Sequence, residues 1–202
     1  MPLKKSGAMR ASGLVAAVCS VLAVIPAGAS AADSPDPCPW EATSKVFALV
    51  GDLNDYFRAP GGTFEGTLQW TLSGAASQVA SDSALTGEKV VALGAGASAA
   101  SPPVCVDATR PHIRFAVKAP RMGEGTLRLD AVDGEGVRTV LGTVDAAAQR
   151  LERTSQGWSA SPMLPLSTAL GVTSGSRAVN LVVSAESADW QVDEVNIDPM
   201  RR

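Results

Sequence analysis

The run Trp190-Gln191-Val192-Asp193-Glu194-Val195-Asn196-Ile197 constrains this chain more than any other stretch. Trp190 and Val192 alternate with polar neighbours, the two-residue period of a strand with one buried face. After Val192 the parity slips by one, and Val195 and Ile197 take up the alternation beyond Asp193-Glu194. An extra residue at that point reads as a β-bulge, a device that re-aims side chains at rims and sites. A half-buried strand this apolar at the end of a chain needs a sheet to close.

Other stretches supply that sheet. Leu68, Trp70 and Leu72 alternate with Thr67, Gln69 and Thr71 and run into Ser73-Gly74. Ile113, Phe115 and Val117 share one face of 112–118, and Leu127, Leu129 and Ala131 alternate with Arg128 and Asp130. Asp133-Gly134-Glu135-Gly136 offers a hairpin turn into 137–144. Val179, Leu181, Val183 and Ala185 form the penultimate strand. Shorter candidates lie at 78–80 and 89–93, and Pro102 to Val106 reads as an edge or entry strand, because proline cannot donate to a ladder. The one helix-like window, 145–153, has a weak apolar face and is expected to be a loop with at most a turn of helix. Many short alternating strands separated by Gly, Ser and Pro turns predict an all-β fold, a two-sheet antiparallel β-sandwich over 61–202.

The first 31 residues read as a signal peptide. Lys4, Lys5 and Arg10 precede an apolar run from Leu14 to Ile25, and Ala27-Gly28-Ala29 and Ala29-Ser30-Ala31 offer small-x-small cleavage sites. The apolar run is short of the roughly 20 residues that span a bilayer. Its removal leaves 171 residues with 14 Lys and Arg against 20 Asp and Glu, a formal charge of −6, and no later run long enough to span a membrane. Export of an acidic chain predicts a secreted protein and argues against nucleic acid as a partner. Residues 32–60 form a Pro-rich lead, expected to be partly packed. Cys38 and Cys105 then remain as an even pair in an oxidising compartment, which predicts one disulfide across 67 positions.

Two places together carry a resemblance. Gly61-Gly62-Thr63-Phe64-Glu65, followed by Trp70-Thr71-Leu72-Ser73-Gly74, is similar to the opening of galactose-binding-like jelly-roll modules. Trp190-Gln191-Val192-Asp193-Glu194-Val195 resembles their closing strand. The resemblance implies a jelly roll whose first and last strands pair or neighbour, with Phe64, Trp70 and Trp190 in the core. It also implies a structural calcium where the two ends meet, with carboxylates at Glu65 and Asp193, although Thr63 stands where the family commonly has aspartate. Two carboxylates with backbone carbonyls match the oxygen-rich coordination Ca²⁺ prefers. Without metal, Glu65 and Asp193 would cap loops or accept backbone N–H bonds. Many carbohydrate-binding modules have this fold, so a glycan or cell-surface component is the partner the resemblance implies.

Catalysis finds little support in the residues. Beyond the leader the chain has one histidine, His112, which shares a strand face with Arg114, and it has no Gly-x-Ser-x-Gly elbow and no phosphate-cradling glycine loop. Asp193 and Glu194 are adjacent, so on a regular strand they would point to opposite faces. The chain therefore reads as a non-catalytic ligand-binding module, or alternatively as a structural or protein-interaction domain of the envelope. Sugar recognition generally uses aromatic faces beside planar polar groups. Trp70 and Trp190 have core parity, which leaves Tyr56 and Trp158 as the aromatic contact candidates; for Trp158 a lid over the core is the favoured reading, since large aromatics near strand ends usually bury. The polar strand faces offer Arg114, Lys118, Arg128, Asp130, Asn180 and Ser184, with no aromatic among them.

Overall fold

The computed structural model describes residue 38 and residues 42–82, 87–120, 124–151, 154 and 156–198. These belong to one compact unit, Pro35–Arg202. The signal-peptide reading of 1–31 lies outside the described residues, as do residues 32–37 and 39–41 of the Pro-rich lead, Trp40 among them.

In chain order the strands are β1 (Phe57–Arg58), β2 (Thr71–Ser73), β3 (Ala76–Ala80), β4 (Lys89–Leu93), β5 (Ser98–Asp107) and β6 (His112–Lys118). There follow β7 (Thr126–Asp133), β8 (Arg138–Asp145), β9 (Trp158–Ala160), β10 (Leu164–Pro165), β11 (Ser176–Ala185) and β12 (Trp190–Asp198). One sheet runs β10-β6-β12-β4-β3, with β1 also on β12 and β9 also on β6; the other runs β2-β5-β11-β7-β8. Each of these strand pairs is antiparallel. The expected two-sheet sandwich is the fold. Its core is filled by the apolar parity of both sheets, among them Ile113, Phe115, Val117, Leu127, Leu129, Leu181, Val192 and Ile197, each at most 3% exposed. The helix-like window contributes a single 3-10 turn, Ala148–Leu151.

Phe64, Trp70 and Trp190 are buried, as the resemblance implies. Phe64 and Trp70 meet edge to face at 5.1 Å. Each indole finds a carbonyl: Trp70 Nε1 donates to Pro60 O at 3.0 Å and Trp190 Nε1 to Ser187 O at 3.1 Å. The expected pairing of the two tryptophan strands is corrected. Strand β2 joins β5 in the five-stranded sheet, while β12 lies between β6 and β4 in the other. Strand β1 makes the contact instead, with Phe57 opposite Ile197 and Arg58 opposite Asn196. The turn at Pro60–Thr63 lies between β1 and β2, so the chain changes sheet before it reaches Trp70.

The expected bulge is present in β12. Asp193 is registered on Ala116 but Asn196 on Arg114, and Glu194 lies at φ 46°. The displaced backbone is met from the other side: Val195 N–H donates to Gly62 O at 2.9 Å, and Ala59 N–H donates to Val195 O at 3.0 Å. Gly62 has no room for a side chain, since a Cβ there would stand 2.6 Å from Val195 O and 3.0 Å from Ala59 O. A second correction concerns Pro102 to Val106, which belongs to β5, an internal strand. The prolines are tolerated because β2 pairs only with Ser98 to Ala100, and Ser101 Oγ accepts the Leu181 amide at 2.8 Å where the β5–β11 register shifts.

The segment 42–56 forms a strap over the outer face of the seven-stranded sheet. Phe47 and Tyr56, in edge-to-face contact at 5.1 Å, pack with Val90, Ala116, Trp158 and Ala160 in a second, smaller core. Asp52 fastens the strap, accepting from the Tyr56 hydroxyl and pairing with Arg114, whose Nε donates to Ser161 O at 2.6 Å. Arg114 also lies over the Phe47 ring at 5.5 Å. The expected disulfide joins Cys38 to Cys105 with Cα atoms 5.4 Å apart, which ties the residues before the strap to β5. Nearby, buried Arg110 bonds Asp107 at 2.7 Å and the Cys38 carbonyl at 3.3 Å, and stacks over Phe57 at 5.2 Å.

Gly62→Ala should lower the stability of the folded protein by about 1–3 kcal/mol through overpacking. Gly134→Ala, where an added Cβ meets nothing within 4 Å, should lie within about 0.5 kcal/mol of wild type. Equal effects in urea unfolding would refute the close approach.

The strap also carries a pH signature. Burial pushes the Asp52 carboxyl up, but the Tyr56 hydroxyl, the Asn54 amide and Arg114 together hold it below its ordinary 3.8. A depressed carboxyl contributes stability above its unfolded value and loses it as the pH falls through the folded one. Urea unfolding followed from about pH 6 to about pH 2 should show this loss beginning below 3.8. Asp52→Asn should remove that part of the fall; an unchanged profile would contradict the fastening.

Candidate functional site

The bulge brings three carboxylates together at the junction of the chain's two ends. Glu194 has partners: Arg58 Nε at 3.6 Å and the Asn196 amide. Glu65 Oε1 accepts the Lys89 amide at 2.9 Å and leans on Gly87, where a Cβ would stand only 2.1 Å from that oxygen. Asp193 has neither kind of help. It is 0% exposed, and neither of its oxygens has a hydrogen-bond partner among the described residues. The amides of Glu194 and Gly87 face it without closing a bond of ordinary geometry. Burial first, then the nearby charges of Glu194 and Glu65, push its carboxyl up to about 8. Burial likewise raises Glu194, against the opposing pull of Arg58.

An ionised carboxylate buried without a partner costs several kcal/mol. A hard cation held by Asp193 and Glu65 would remove that cost, and the orphaned oxygens of Asp193 fit such a group. Among the described residues no set of three or more His, Cys, Asp or Glu is placed to hold a metal ion. The remaining ligands would therefore be backbone carbonyls or water, as Ca²⁺ accepts.

A second feature lies further along the same sheet face, where β12 begins. A groove of about 540 Å³ opens across the ends of β4, β12 and β6. Ala92, Gln191 and Lys118 form its floor, registered side by side on the three strands. Ala75, Gly94, Ala119, Pro120 and Asp189 also line it, together with the buried Leu93 and Trp190. Small side chains keep the floor low. Asp189 Oδ1 accepts the Ala95 amide at 3.3 Å, and Lys118 pairs with Asp82. The Gln191 side chain is half-buried and makes no hydrogen bond among the described residues, so its amide is available to a ligand.

The aromatic contact residues expected from the sequence are corrected. Tyr56 and Trp158 are both 0% exposed: Tyr56 is turned under the strap onto Asp52, and Trp158 lies beneath it with Nε1 donating to Asp82 at 3.1 Å. Trp158 is a lid residue, but over the outer face of the sheet and not over the main core. Every described aromatic side chain is at most 3% exposed, so none offers a ring to stack on. The polar face expected to be open is divided between the sheets. Arg114 is closed off by Asp52, and Asp130 is 1% exposed between Arg128 and Arg138. Gln191, Asp189 and Asp82 were not singled out by the sequence. The outward parity of Gln191 between Trp190 and Val192 is the one signal that marks any of them.

A scan against protein-family models finds no match, and a search among curated proteins finds no significant relative. Solved structures do show similarity. The C-terminal family 6 carbohydrate-binding module of a marine laminarinase from Zobellia galactanivorans is 15% identical at a TM-score of 0.48, covering 71% of this chain and 98% of that one. A family 6 module of Cellvibrio mixtus lichenase 5A, solved with cellotriose, is 19% identical at 0.46, covering 65% and 91%. A family 28 module specific for non-crystalline cellulose is 11% identical at 0.48, covering 70% and 93%.

If Asp193 holds a cation, calcium should raise the melting temperature of the wild type by mass action and chelation should reverse it. Asp193→Asn should abolish that response, and in chelator at about pH 7 it should melt no lower than wild type, because the amide replaces a carboxyl that burial already keeps largely protonated. A wild type indifferent to calcium would refute the cation; an equal response in the variant would place it elsewhere.

Proposed function

We propose that this protein is a secreted, non-catalytic glycan-binding module that uses the groove at the start of β12. The observation that carries the reading is the floor of Ala92, Gln191 and Lys118 beside Asp189. It sets an unengaged amide, an ammonium and a carboxylate over small apolar residues in a shallow cleft. Such a mixture of planar polar groups suits the ring hydroxyls of a saccharide. The motif resemblance at both ends of the chain supports the same class. So does the placement of His112, which faces Asp198 at 3.7 Å and not a hydroxyl nucleophile. The disulfide and the leader-like first 31 residues support secretion.

A structural calcium at Asp193 and Glu65 is part of the proposal. It would neutralise the buried carboxylates and brace the bulge, with Asp193 two positions along β12 from Gln191 in the groove. Without a stacking ring, recognition would rest on hydrogen bonds, each worth about 0.5–1.5 kcal/mol net. Affinity for a single short saccharide is then weak, on the order of 1 mM.

A second reading, a protein-interaction domain of the envelope, has its own observation. Leu49 and Leu53 on the strap are 69% and 67% exposed, the most exposed large apolar side chains described. The two readings part in one experiment. Affinity gel electrophoresis through soluble polysaccharides should retard the wild type on at least one, and Gln191→Ala should migrate freely while melting normally. Retardation unchanged by Gln191→Ala would move the site; free migration of the wild type on every polymer, with a protein cross-linked at the strap, would favour the second reading.

A further inference from the structure

Asp82 is held by two different donors. Its Oδ1 accepts the indole N–H of Trp158 at 3.1 Å, and its Oδ2 accepts the ammonium of Lys118. Lys118 and Trp158 are direct partners across the β6–β9 ladder. The sheet therefore fixes their spacing, and that spacing spans the two oxygens of one carboxylate. The donors and the acceptor differ in how they are set. Trp158 is fully buried and the Lys118 side chain is 16% exposed, whereas the Asp82 side chain is 57% exposed. A rigid, sheet-anchored receptor is thus filled by a carboxylate from a surface segment. Lys118 also lines the groove, next to the unengaged amide of Gln191.

We infer that Lys118 Nζ and Trp158 Nε1 form an acid-recognising subsite of the groove, and that a uronate carboxylate of a bound saccharide takes the place of Asp82. The inference rests on the glycan-binding reading and names the class of glycan. The exchange conserves charge at the subsite: one carboxylate leaves, another enters, and neither donor is left buried without an acceptor. Asp82 returns to water, to which it is already more than half exposed. The chain has a net charge of −3 and gives an acidic polymer no long-range attraction, so the preference must come from these two donors at contact. Asp82 acts as an internal surrogate, and its occupancy lowers the apparent affinity for the ligand.

The test is a calorimetric titration of the intact chain with an oligogalacturonate and with its carboxyl-reduced, neutral counterpart. The uronate should bind more tightly than the neutral sugar. Lys118→Gln should weaken the uronate about tenfold more than it weakens the neutral sugar, a difference worth one charge-assisted hydrogen bond. Asp82→Asn should strengthen uronate binding several-fold although it removes a native contact, a change of sign that a purely structural ion pair would not give. Equal binding of both sugars, indifferent to both variants, would overturn the subsite and leave the glycan reading standing. Binding of neither sugar, by wild type or by Asp82→Asn, would overturn both.

Discussion

The backbone exchange around Val195, which donates to Gly62 and accepts from Ala59, holds the two ends of this fold together. It requires a bulge in β12 and a residue without a side chain at position 62. Once made, it places β12 between β6 and β4, seals the core beneath Trp190, and leaves Asp193 buried with no hydrogen bond of ordinary geometry among the described residues. The electrostatic problem at Asp193 is thus a consequence of how the sandwich closes.

The strap determines what the outer face of the seven-stranded sheet can do. Val79, Val90 and Ala116 are apolar on three strands of one sheet, and Phe47 and Tyr56 cover them, with Trp158 and Ala160 completing the cluster. Arg114 is drawn into that layer by Asp52. What remains open is the row Ala92, Gln191 and Lys118 near the start of β12, and there the groove lies. An ordinary open sheet face is reduced to one polar cleft at one end. The same layer buries the indole ring of Trp158 and leaves its N–H directed to Asp82. The groups the described outer face leaves for the proposed recognition are an amide, an ammonium and an indole N–H, and not an aromatic platform.

Much of this was legible in the sequence, for definite reasons. The bulge could be read because two apolar residues on each side of Asp193-Glu194 carry opposite parity. The disulfide could be read because only two cysteines follow the leader. Trp70 and Trp190 could be assigned to the core, but not to their sheets, since parity reports which face is buried and is silent about partners. Glycines 61 and 62 allow the change of sheet, and nothing in their spacing says where it goes. The strap was hidden because Phe47 and Tyr56 lie among Gly51-Asp52 and Asn54-Asp55 with no period. Its trace is the apolar character of Val90 and Ala116 on faces that should otherwise be polar. Tyr56 and Trp158 stand out as contact candidates because neither has a periodic strand context; their burial comes from a layer no alternation pattern describes.

Amide hydrogen exchange on the native protein, read residue by residue, tests the closure most directly. The amides of Ala59, Gly62 and Val195 should be protected to nearly the same degree as those in the centres of β6 and β11, although none of the three makes a regular ladder bond. Exchange of Ala59 and Val195 at the rate of exposed turns such as Gly134 and Glu135, with the central strands still protected, would show that the two ends of the chain do not hold one another and would contradict the account.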